Sequence, residues 1–414
     1  MGSGITGPMT FGACGHIGRI WTESPETYIE KIKSINANAF RSDVTWGRVE
    51  PSSTPGTLAF PGTNAELIRL NNSINVGLQN GVDTMLILDY GNSGYGPSSP
   101  PGYKGGLTLT SEEISAFTNY ASHVTEQTVG RVSRFEVWNE WNIGLGATQA
   151  QKDALEYIDP QKYQNLVESV YPAIKQKNQN AEVIVGAFSE QMTVRPQNNE
   201  WIEKYLDIPN WHEKADGFSF HHYFGFSRPE NWFYQVRGTS EMVKRKSPKP
   251  MPTYVTETGW FNGTDSGSIS EELAAEYYSR WPLLLRCTGV KEAYFYSLRD
   301  DASGPEKENS FGIYNFDYTE KLQTASARDA IKAAVDAYKA EYYNDNDRHL
   351  VVFNDGEYFA VWGIGSVNFE FETQSPVQVV ECGKSTTSHE SLNSIQLGWT
   401  AKIVYPTSKL KVIT

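Results

Sequence analysis

Two glutamates, Glu140 and Glu257, each stand at the end of a short run of apolar and aromatic residues. Two carboxyl groups that a fold brings to about 5–5.5 Å from each other can cleave a glycosidic bond by double displacement. One carboxylate attacks the anomeric carbon, while the other carboxyl gives a proton to the leaving oxygen and later takes one from water. We predict Glu257 as the nucleophile and Glu140 as the acid/base.

The two glutamates are far apart in the chain, and the surrounding pattern indicates how a fold could bring them together. Strand-like runs alternate with amphipathic runs up to about residue 340. The predicted strands cover residues 10–16, 39–46, 83–90, 133–140, 182–188, 217–223, 253–257 and 292–298. The predicted helices cover residues 25–36, 64–80, 111–129, 160–178, 199–206, 240–246, 270–286 and 325–340. This alternation predicts a closed (β/α)8 TIM barrel, in which the ends of the fourth and seventh strands share one mouth.

The pattern changes after about residue 342. Short strand-like runs at 350–353, 358–362, 377–382 and 403–405 are separated by Asn-Asp-Gly, Gly and Ser/Thr clusters. Such runs predict antiparallel strands that are joined by turns. We therefore expect an α/β protein with a catalytic barrel over residues 8–344 and a C-terminal antiparallel β module over residues 345–414, which residues 1–7 could complete.

Composition limits the partners that the protein can have. The formal charge of −13 argues against nucleic acid, because phosphate binding needs clustered Lys and Arg. The sequence has no apolar run of roughly 18 residues, so no membrane span is expected. Aromatic residues make up 13% of the chain and suit stacking on sugar rings. The three cysteines match no metal-binding spacing, and we expect a monomer with no cofactor and no metal.

The motifs Trp-Asn-Glu at residues 138–140 and Thr-Glu-Thr-Gly at residues 256–259 resemble the strand-4 and strand-7 signatures of clan A glycoside hydrolases. Within the clan the chain is most similar to glycoside hydrolase family 39, which includes β-xylosidases, α-iduronidases and glycosidases associated with bacterial exopolysaccharide. The resemblance covers roughly residues 8–340. It implies a TIM barrel whose C-terminal module is a β-sandwich. It also implies a retaining glycosidase that acts on a polysaccharide or oligosaccharide. We expect a secreted or periplasmic protein, although this chain shows no export signal.

Further residues match the clan by their place on the predicted strands. The resemblance implies that Arg41, on the second strand, supports the nucleophile electrostatically, although an ion pair with Glu136 would also explain it. On the sixth strand it implies a hydrogen bond from Tyr223 to the nucleophile. His221 shares the inward register of Tyr223, whereas strand alternation turns His222 outward.

Another set of residues is expected to contact the sugar from the strand ends and the loops beyond them. Asn139 precedes the acid/base and can hydrogen-bond the hydroxyl beside the reacting carbon. Tyr296 lies near the end of the eighth strand, where the clan often has a tryptophan that floors the central subsite. The remaining candidates are His16, Trp46, Trp232 and Trp260.

Two long segments, residues 91–106 and 224–237, follow the third and sixth strands and are predicted to be loops. The first is rich in Gly, Pro, Ser and Tyr, and the second in aromatic residues. As walls of an open cleft they favour endo action over the exo action of a β-xylosidase. Four cations in candidate mouth loops would suit an acidic polymer, although they are few: Arg19, Lys104, Arg228 and Arg299.

Three other functions can be weighed from the sequence. A metal hydrolase would use residues 221–222 (His-His) with residues 300–301 (Asp-Asp), but adjacent strand residues point to opposite faces and cannot easily chelate one ion. A non-catalytic carbohydrate-binding barrel is an alternative that the presence of both glutamates disfavours. A polysaccharide lyase would need an acidic sugar and a base such as Tyr or Lys.

Overall fold

A computed structural model describes residues 5–18, 20–96, 105–190, 197–223, 225–345, 347–373 and 376–413. Strand β1 (Ile5–Thr6) precedes eight strands that form a closed barrel. These strands are β2 (Thr10–Cys14), β3 (Ala39–Thr45), β4 (Asp83–Asp89), β5 (Arg134–Val137), β6 (Glu182–Glu190), β7 (Gly217–His222), β8 (Thr253–Thr258) and β9 (Glu292–Phe295). All neighbouring pairs are parallel, so the predicted TIM barrel is confirmed.

Helices follow the barrel strands and cover the barrel. They are α1 (Pro25–Ser34), α2 (Trp46–Val49), α3 (Ala65–Gln79), α4 (Ser111–Gln127), α5 (Gln149–Asp153), α6 (Pro160–Lys177), α7 (Gln197–Leu206), α8 (Pro229–Lys246), α9 (Glu271–Leu285) and α10 (Leu322–Asp336). Local sequence explains several starts, because Ser24 caps α1 and Thr110 forms a capping box with Glu113 at the start of α4. These helices pack on the outside of the strands and bury the hydrophobic core between the two layers.

Helix α8 corrects the sequence prediction. It begins at Pro229 rather than at residue 240, so most of the predicted aromatic loop at 224–237 is helical. Proline favours the first turn of a helix, and Glu230 supplies the negative charge that the helix start stabilises. Trp232 is therefore fully buried in this helix instead of standing on a loop.

The C-terminal part forms two antiparallel sheets, which confirms the predicted β-sandwich. Its further strands are β10 (Lys339–Asp345), β11 (Arg348–Phe353), β12 (Tyr358–Gly363), β13 (Ser366–Phe371), β14 (Val377–Glu381), β15 (Ser385–His389), β16 (Ser394–Gln396), β17 (Lys402–Pro406) and β18 (Leu410–Ile413). One sheet has the order β1-β10-β11-β12-β17-β14-β15 and the other β16-β13-β18. The sheet starts with β10, six residues before the predicted division at 345, and includes β1; that division stays a prediction.

Two further features bear on function. Cys14, Cys287 and Cys382 are free and buried. Among the described helices, none combines the length and the apolar character that crossing a membrane would require.

Candidate active site

Glu140 and Glu257 lie together in a cleft of about 910 Å³. Glu140 follows β5 and Glu257 belongs to β8, so the parallel strands bring both to the carboxyl-end mouth of the barrel. One oxygen of each carboxyl and a ring nitrogen of His221 all lie within 4.8 Å of one another. This spacing fits the roughly 5–5.5 Å of a double displacement and is shorter than the roughly 6.5–9.5 Å that an intervening water needs.

Glu257 is held as an anion by three side chains. The Arg41 Nη1 donates to its Oε1 at 2.8 Å, and the Tyr223 hydroxyl donates to its Oε2 at 3.0 Å. The His221 Nδ1 lies 3.5 Å from the same Oε2. Burial on its own would raise the pKa of Glu257, but attraction to His221 and Arg41 and the two donated hydrogen bonds hold that pKa below its usual value. The carboxylate is therefore ionised and ready to attack.

Arg41 of β3 is fixed by one partner on β5 and a second just after that strand. Its Nε donates to Glu136 Oε2 at 2.7 Å, and its Nη2 donates to Asn139 Oδ1 at 2.9 Å. Both Arg41 and Glu136 are buried, so each charge needs the other to offset its loss of hydration. The sequence allowed two interpretations of Arg41, support of the nucleophile and an ion pair with Glu136. Both describe this structure, since one guanidinium contacts Glu136 and the nucleophile together.

Glu140 lies in a turn that follows the end of β5. Trp138 and Glu140 have positive φ angles of 67° and 50°, a region that residues other than glycine seldom adopt. These angles end the strand at Val137, three residues before the predicted end, and such backbone is concentrated at functional sites. The Glu140 Oε1 lies 2.9 Å from His221 Nδ1, so one imidazole ring contacts both carboxyl groups.

Asn139 lines the cleft next to this pair. Its Oδ1 accepts from Arg41, and its Nδ2 donates to the Tyr90 hydroxyl at 3.1 Å. These two bonds fix the orientation of the amide. Tyr90, which also lines the cleft, was not among the predicted site residues, although its place just after β4 could have identified it by the strand-end rule.

His16 and Tyr296, two of the candidate sugar contacts, both line the cleft. The His16 Nε2 is 3.3 Å from the Tyr296 hydroxyl, and its Nδ1 is 3.4 Å from Asp43 Oδ2. Asp43 is a second residue whose place in the site was not foreseen. Tyr296 offers the cleft a hydroxyl as well as a ring face, in the region where the clan often has tryptophan.

The three predicted tryptophans have different places. Trp260 lines the cleft, and its ring stacks on Trp232 with 4.0 Å between ring centres. Trp232 is fully buried behind it and supports the cleft wall without lining it. Trp46 does not line the cleft either. This corrects the expected sugar contact, because Trp46 starts α2, donates to Glu50 Oε2 at 2.7 Å and packs on Tyr120 of α4.

The predicted mouth cations are only partly described. Arg299 is buried against Glu23 at 2.9 Å, and Arg228 lies against the ring of Trp399, 4.4 Å from its centre. Arg19 and Lys104 lie outside the described residues, as do residues 97–104 of the first predicted loop. Lys307, which the sequence did not single out, lines the cleft instead. Arg228 and Arg299 contact other side chains and do not line the cleft, so these two cations give no support for an acidic polymer.

The residue pairs weighed for a metal hydrolase lie apart in the structure. His222 is buried against Glu190 at 3.1 Å, while Asp300 pairs with Lys321 at 2.8 Å. Glu140, His221 and Glu257 are close enough to supply three ligands to one ion. The fixed Arg41 cation 2.8 Å from Glu257 disfavours a second positive charge there.

Replacing Tyr223 by Phe is expected to lower kcat/KM roughly 10- to 100-fold, because a hydrogen bond to a charged group is worth about 1.5–3 kcal/mol. The lost donor also stabilises the ionised form of Glu257, so the pKa of that carboxyl rises and the acid limb of the pH–rate profile moves to higher pH. A pH profile of kcat/KM for both proteins measures this. An unshifted acid limb would assign Tyr223 to packing.

Comparisons with known proteins identify the family and the fold. A family model described as cellulase (glycosyl hydrolase family 5) matches residues 4–294. No curated protein sequence matches the chain. A family 39 glycoside hydrolase from Bacteroides cellulosilyticus WH2 superposes with a TM-score of 0.77 at 20% identity, covering 97% of this chain and 81% of that one.

Two further solved structures have the same fold. A monomeric β-xylosidase from Caulobacter crescentus CB15 superposes with a TM-score of 0.64 at 12% identity, covering 97% of both chains. A family 30 endoxylanase from Clostridium papyrosolvens C71 superposes with a TM-score of 0.65 at 13% identity, covering 98% of both chains. The resemblance to clan A and the similarity of fold to family 39 are therefore confirmed.

Proposed function

The chain belongs to the cellulase family, glycosyl hydrolase family 5 of clan A, and on this premise we propose that it is an endo-acting enzyme that cleaves a polysaccharide such as a bacterial exopolysaccharide. Membership of this clan makes it a retaining glycosidase. The observation that carries the assignment of residues is the close carboxyl pair, with Glu257 bonded by Arg41 and Tyr223.

In the first half of the reaction, a Glu257 oxygen forms a bond to the anomeric carbon while the bond from that carbon to the leaving oxygen breaks. Glu140 gives its proton to the leaving oxygen. The negative charge of Glu257 is consumed as the glycosyl ester forms, and the Arg41 hydrogen bond at 2.8 Å holds the attacking group in place.

In the second half, Glu140 takes a proton from water, and the water oxygen forms a bond to the anomeric carbon as the ester bond to Glu257 breaks. Glu140 can change from acid to base because the neighbouring carboxylate is neutral while it is esterified. The His221 Nδ1 contacts both carboxyls and therefore lies between the group that is esterified and the group that becomes the base.

The surrounding residues support binding of the reacting sugar. Asn139, held by Arg41 and Tyr90, presents its amide beside the pair and suits a hydroxyl next to the anomeric carbon. His16 and Tyr296 bring further polar atoms to the cleft. Such groups gain strength as positive charge develops on the sugar ring in the transition state.

The size of the cleft supports endo action. A volume of about 910 Å³ is near the top of the roughly 300–1,000 Å³ range of ligand pockets, which suits several sugar rings better than one. Exo action is the second candidate, because one structural neighbour is described as a β-xylosidase. The non-catalytic alternative is disfavoured because both carboxyls are present and Glu257 has partners that activate it.

Mass spectrometry of products from a panel of bacterial exopolysaccharides and plant glycans tests this proposal. An endo enzyme releases a series of oligosaccharides early in the reaction, whereas an exo enzyme releases one small sugar from the start. The Glu140→Gln protein is the control for contaminating activity. Products with an unsaturated uronate end would instead identify a lyase.

A polymeric substrate supports action outside the cytoplasm, and we propose a secreted or periplasmic location. Fractionation of the source cells would test this, and activity confined to the cytoplasm would contradict it. The expected monomer stays a prediction that light scattering can check.

A further inference from the structure

One wall of the cleft is formed by residues 225–227, which lie just before α8. Gly225, Phe226 and Ser227 all line the cleft, and Phe226 is 71% exposed. A large exposed aromatic ring beside a carbohydrate cleft presents a flat apolar face to solvent. The ring of a pyranose has a matching face of C–H groups. Phe226 therefore suits stacking on one sugar unit of a bound chain.

Two side chains of the barrel hold the backbone of this segment. The Tyr277 hydroxyl donates to the carbonyl oxygen of Phe226 at 3.0 Å, and the Trp260 Nε1 donates to the carbonyl oxygen of Ser227 at 3.3 Å. Trp260 in turn is stacked on the buried Trp232. The backbone beneath Phe226 is thus anchored to the barrel.

A third support comes from the C-terminal module. The guanidinium of Arg228, which precedes α8, lies 4.4 Å from the centre of the Trp399 ring. Trp399 lies between β16 and β17 and is itself anchored to α9, where Arg280 donates to its carbonyl oxygen. Two residues on, the Ala401 N–H donates to Ser279 Oγ at 3.0 Å. The module therefore contacts the cleft wall directly.

A buried ion pair fixes this contact at its base. Glu230, in the first turn of α8, pairs with Arg280 at 2.7 Å and accepts from the Trp362 Nε1 at 2.8 Å. Trp362 belongs to β12 of the module. Because both charges have partners, this ion pair fixes the position of the first turn of α8 relative to the module.

We propose that Phe226 is the stacking platform of an outer sugar subsite and that the C-terminal β-sandwich positions it through the contact between Trp399 and Arg228. The ligand is a chain of pyranose units, one of which lies on the ring. The inference rests on the proposed function, because it assigns one more part of the same cleft. It makes the module a component of the substrate site.

The test measures binding to the Glu257→Gln protein, so that ligand is not consumed. Calorimetric titration with xylohexaose, cellohexaose and mannohexaose is compared with titration of the matching disaccharides. Adding Phe226→Ala should raise the Kd of the bound hexaose roughly 3- to 10-fold, the usual worth of an aromatic stacking contact, and should change the disaccharide Kd less than twofold. Tyr234→Ala, an exposed aromatic on α8 that also contacts the module, is the control and should change neither.

Positioning of Phe226 by the module is tested by the same comparison of the hexaose Kd with the disaccharide Kd. Trp399→Ala should raise the hexaose Kd as Phe226→Ala does, and the double variant should be no weaker than Phe226→Ala alone, because the platform is already gone. Trp399→Phe keeps a ring and should stay within twofold. If Trp399→Ala unfolds, Arg228→Ala replaces it, since it removes the contact from an exposed side chain.

Three results would overturn the inference. The first is no binding of any hexaose, and the second is that Phe226→Ala raises the hexaose Kd and the disaccharide Kd by the same factor. The third is that the losses of affinity from Phe226→Ala and Trp399→Ala add up in the double variant. Failure of the proposed function is a separate result, because it would appear in the products of the wild-type protein, as one small sugar released from the start or as no cleavage of any glycan.

Discussion

Glu257→Gln is expected to lower kcat by at least 10³-fold, or roughly 4 kcal/mol, while the protein stays folded. The amide is neutral and cannot form the glycosyl ester. Arg41 keeps its bonds to Glu136 and Asn139, so the loss of one partner leaves the buried guanidinium satisfied. Steady-state kinetics on the true substrate, with thermal unfolding of both proteins, measures the two halves of this expectation.

Glu182→Gln is a matched control for removing a carboxylate from a strand of the barrel. Glu182 starts β6, is half-buried and pairs with Lys291 at 2.6 Å. Burial alone would raise the pKa of its carboxyl, but the hydrogen bonds from Lys291 and Tyr254 hold that pKa below the usual value. Its replacement should lower stability while kcat stays within twofold. Near-normal turnover by Glu257→Gln would show that the nucleophile has been assigned to the wrong residue.

The sequence was sufficient for the barrel because its eight strands and most of its helices carry their own periodicity. The fourth and seventh strands could be recognised without any contact information, and parallel strands place their carboxyl ends together in any such fold. The placement of Glu140 and Glu257 in one cleft followed from this rule alone.

Packing between elements was harder to foresee. Tryptophan is a residue type that often stacks on sugars, but only an exposed ring can do so. Trp46 and Trp232 are both covered by helices that contact them only in the folded chain. The start of α8 was missed because its first turns are rich in aromatic residues that resembled a functional loop. Propensity is a weak guide where tertiary contacts determine the outcome.

The local backbone geometry at the acid/base could not be predicted from the sequence either. The positive φ angles at Trp138 and Glu140 turn the acid/base away from the strand that leads to it, and neither residue is a type that favours such angles. Contacts across the module, such as Trp399 with Arg228, join residues on separate units of the chain. No periodicity within either unit indicates them.

Glu140→Ala is expected to lose roughly 10²- to 10⁴-fold in rate on substrates with poor leaving groups, the usual contribution of general acid–base catalysis. Substrates with very good leaving groups need no proton, so their first step should be nearly unaffected. The ester on Glu257 then accumulates, because no base activates water. Azide should speed its breakdown, since a small anion can enter the space of the missing carboxyl and needs no base.

The configuration of the azide product separates the roles of the two carboxyls. In Glu140→Ala, azide attacks the ester from the face opposite Glu257, so two inversions give a glycosyl azide of retained configuration. In Glu257→Ala, azide would take the place of the nucleophile and displace the leaving group once, which gives the inverted product. NMR of the first-formed products decides between these outcomes. Inverted azide product from Glu140→Ala would exchange the two assignments, because the missing carboxyl would then be the one that attacks the sugar.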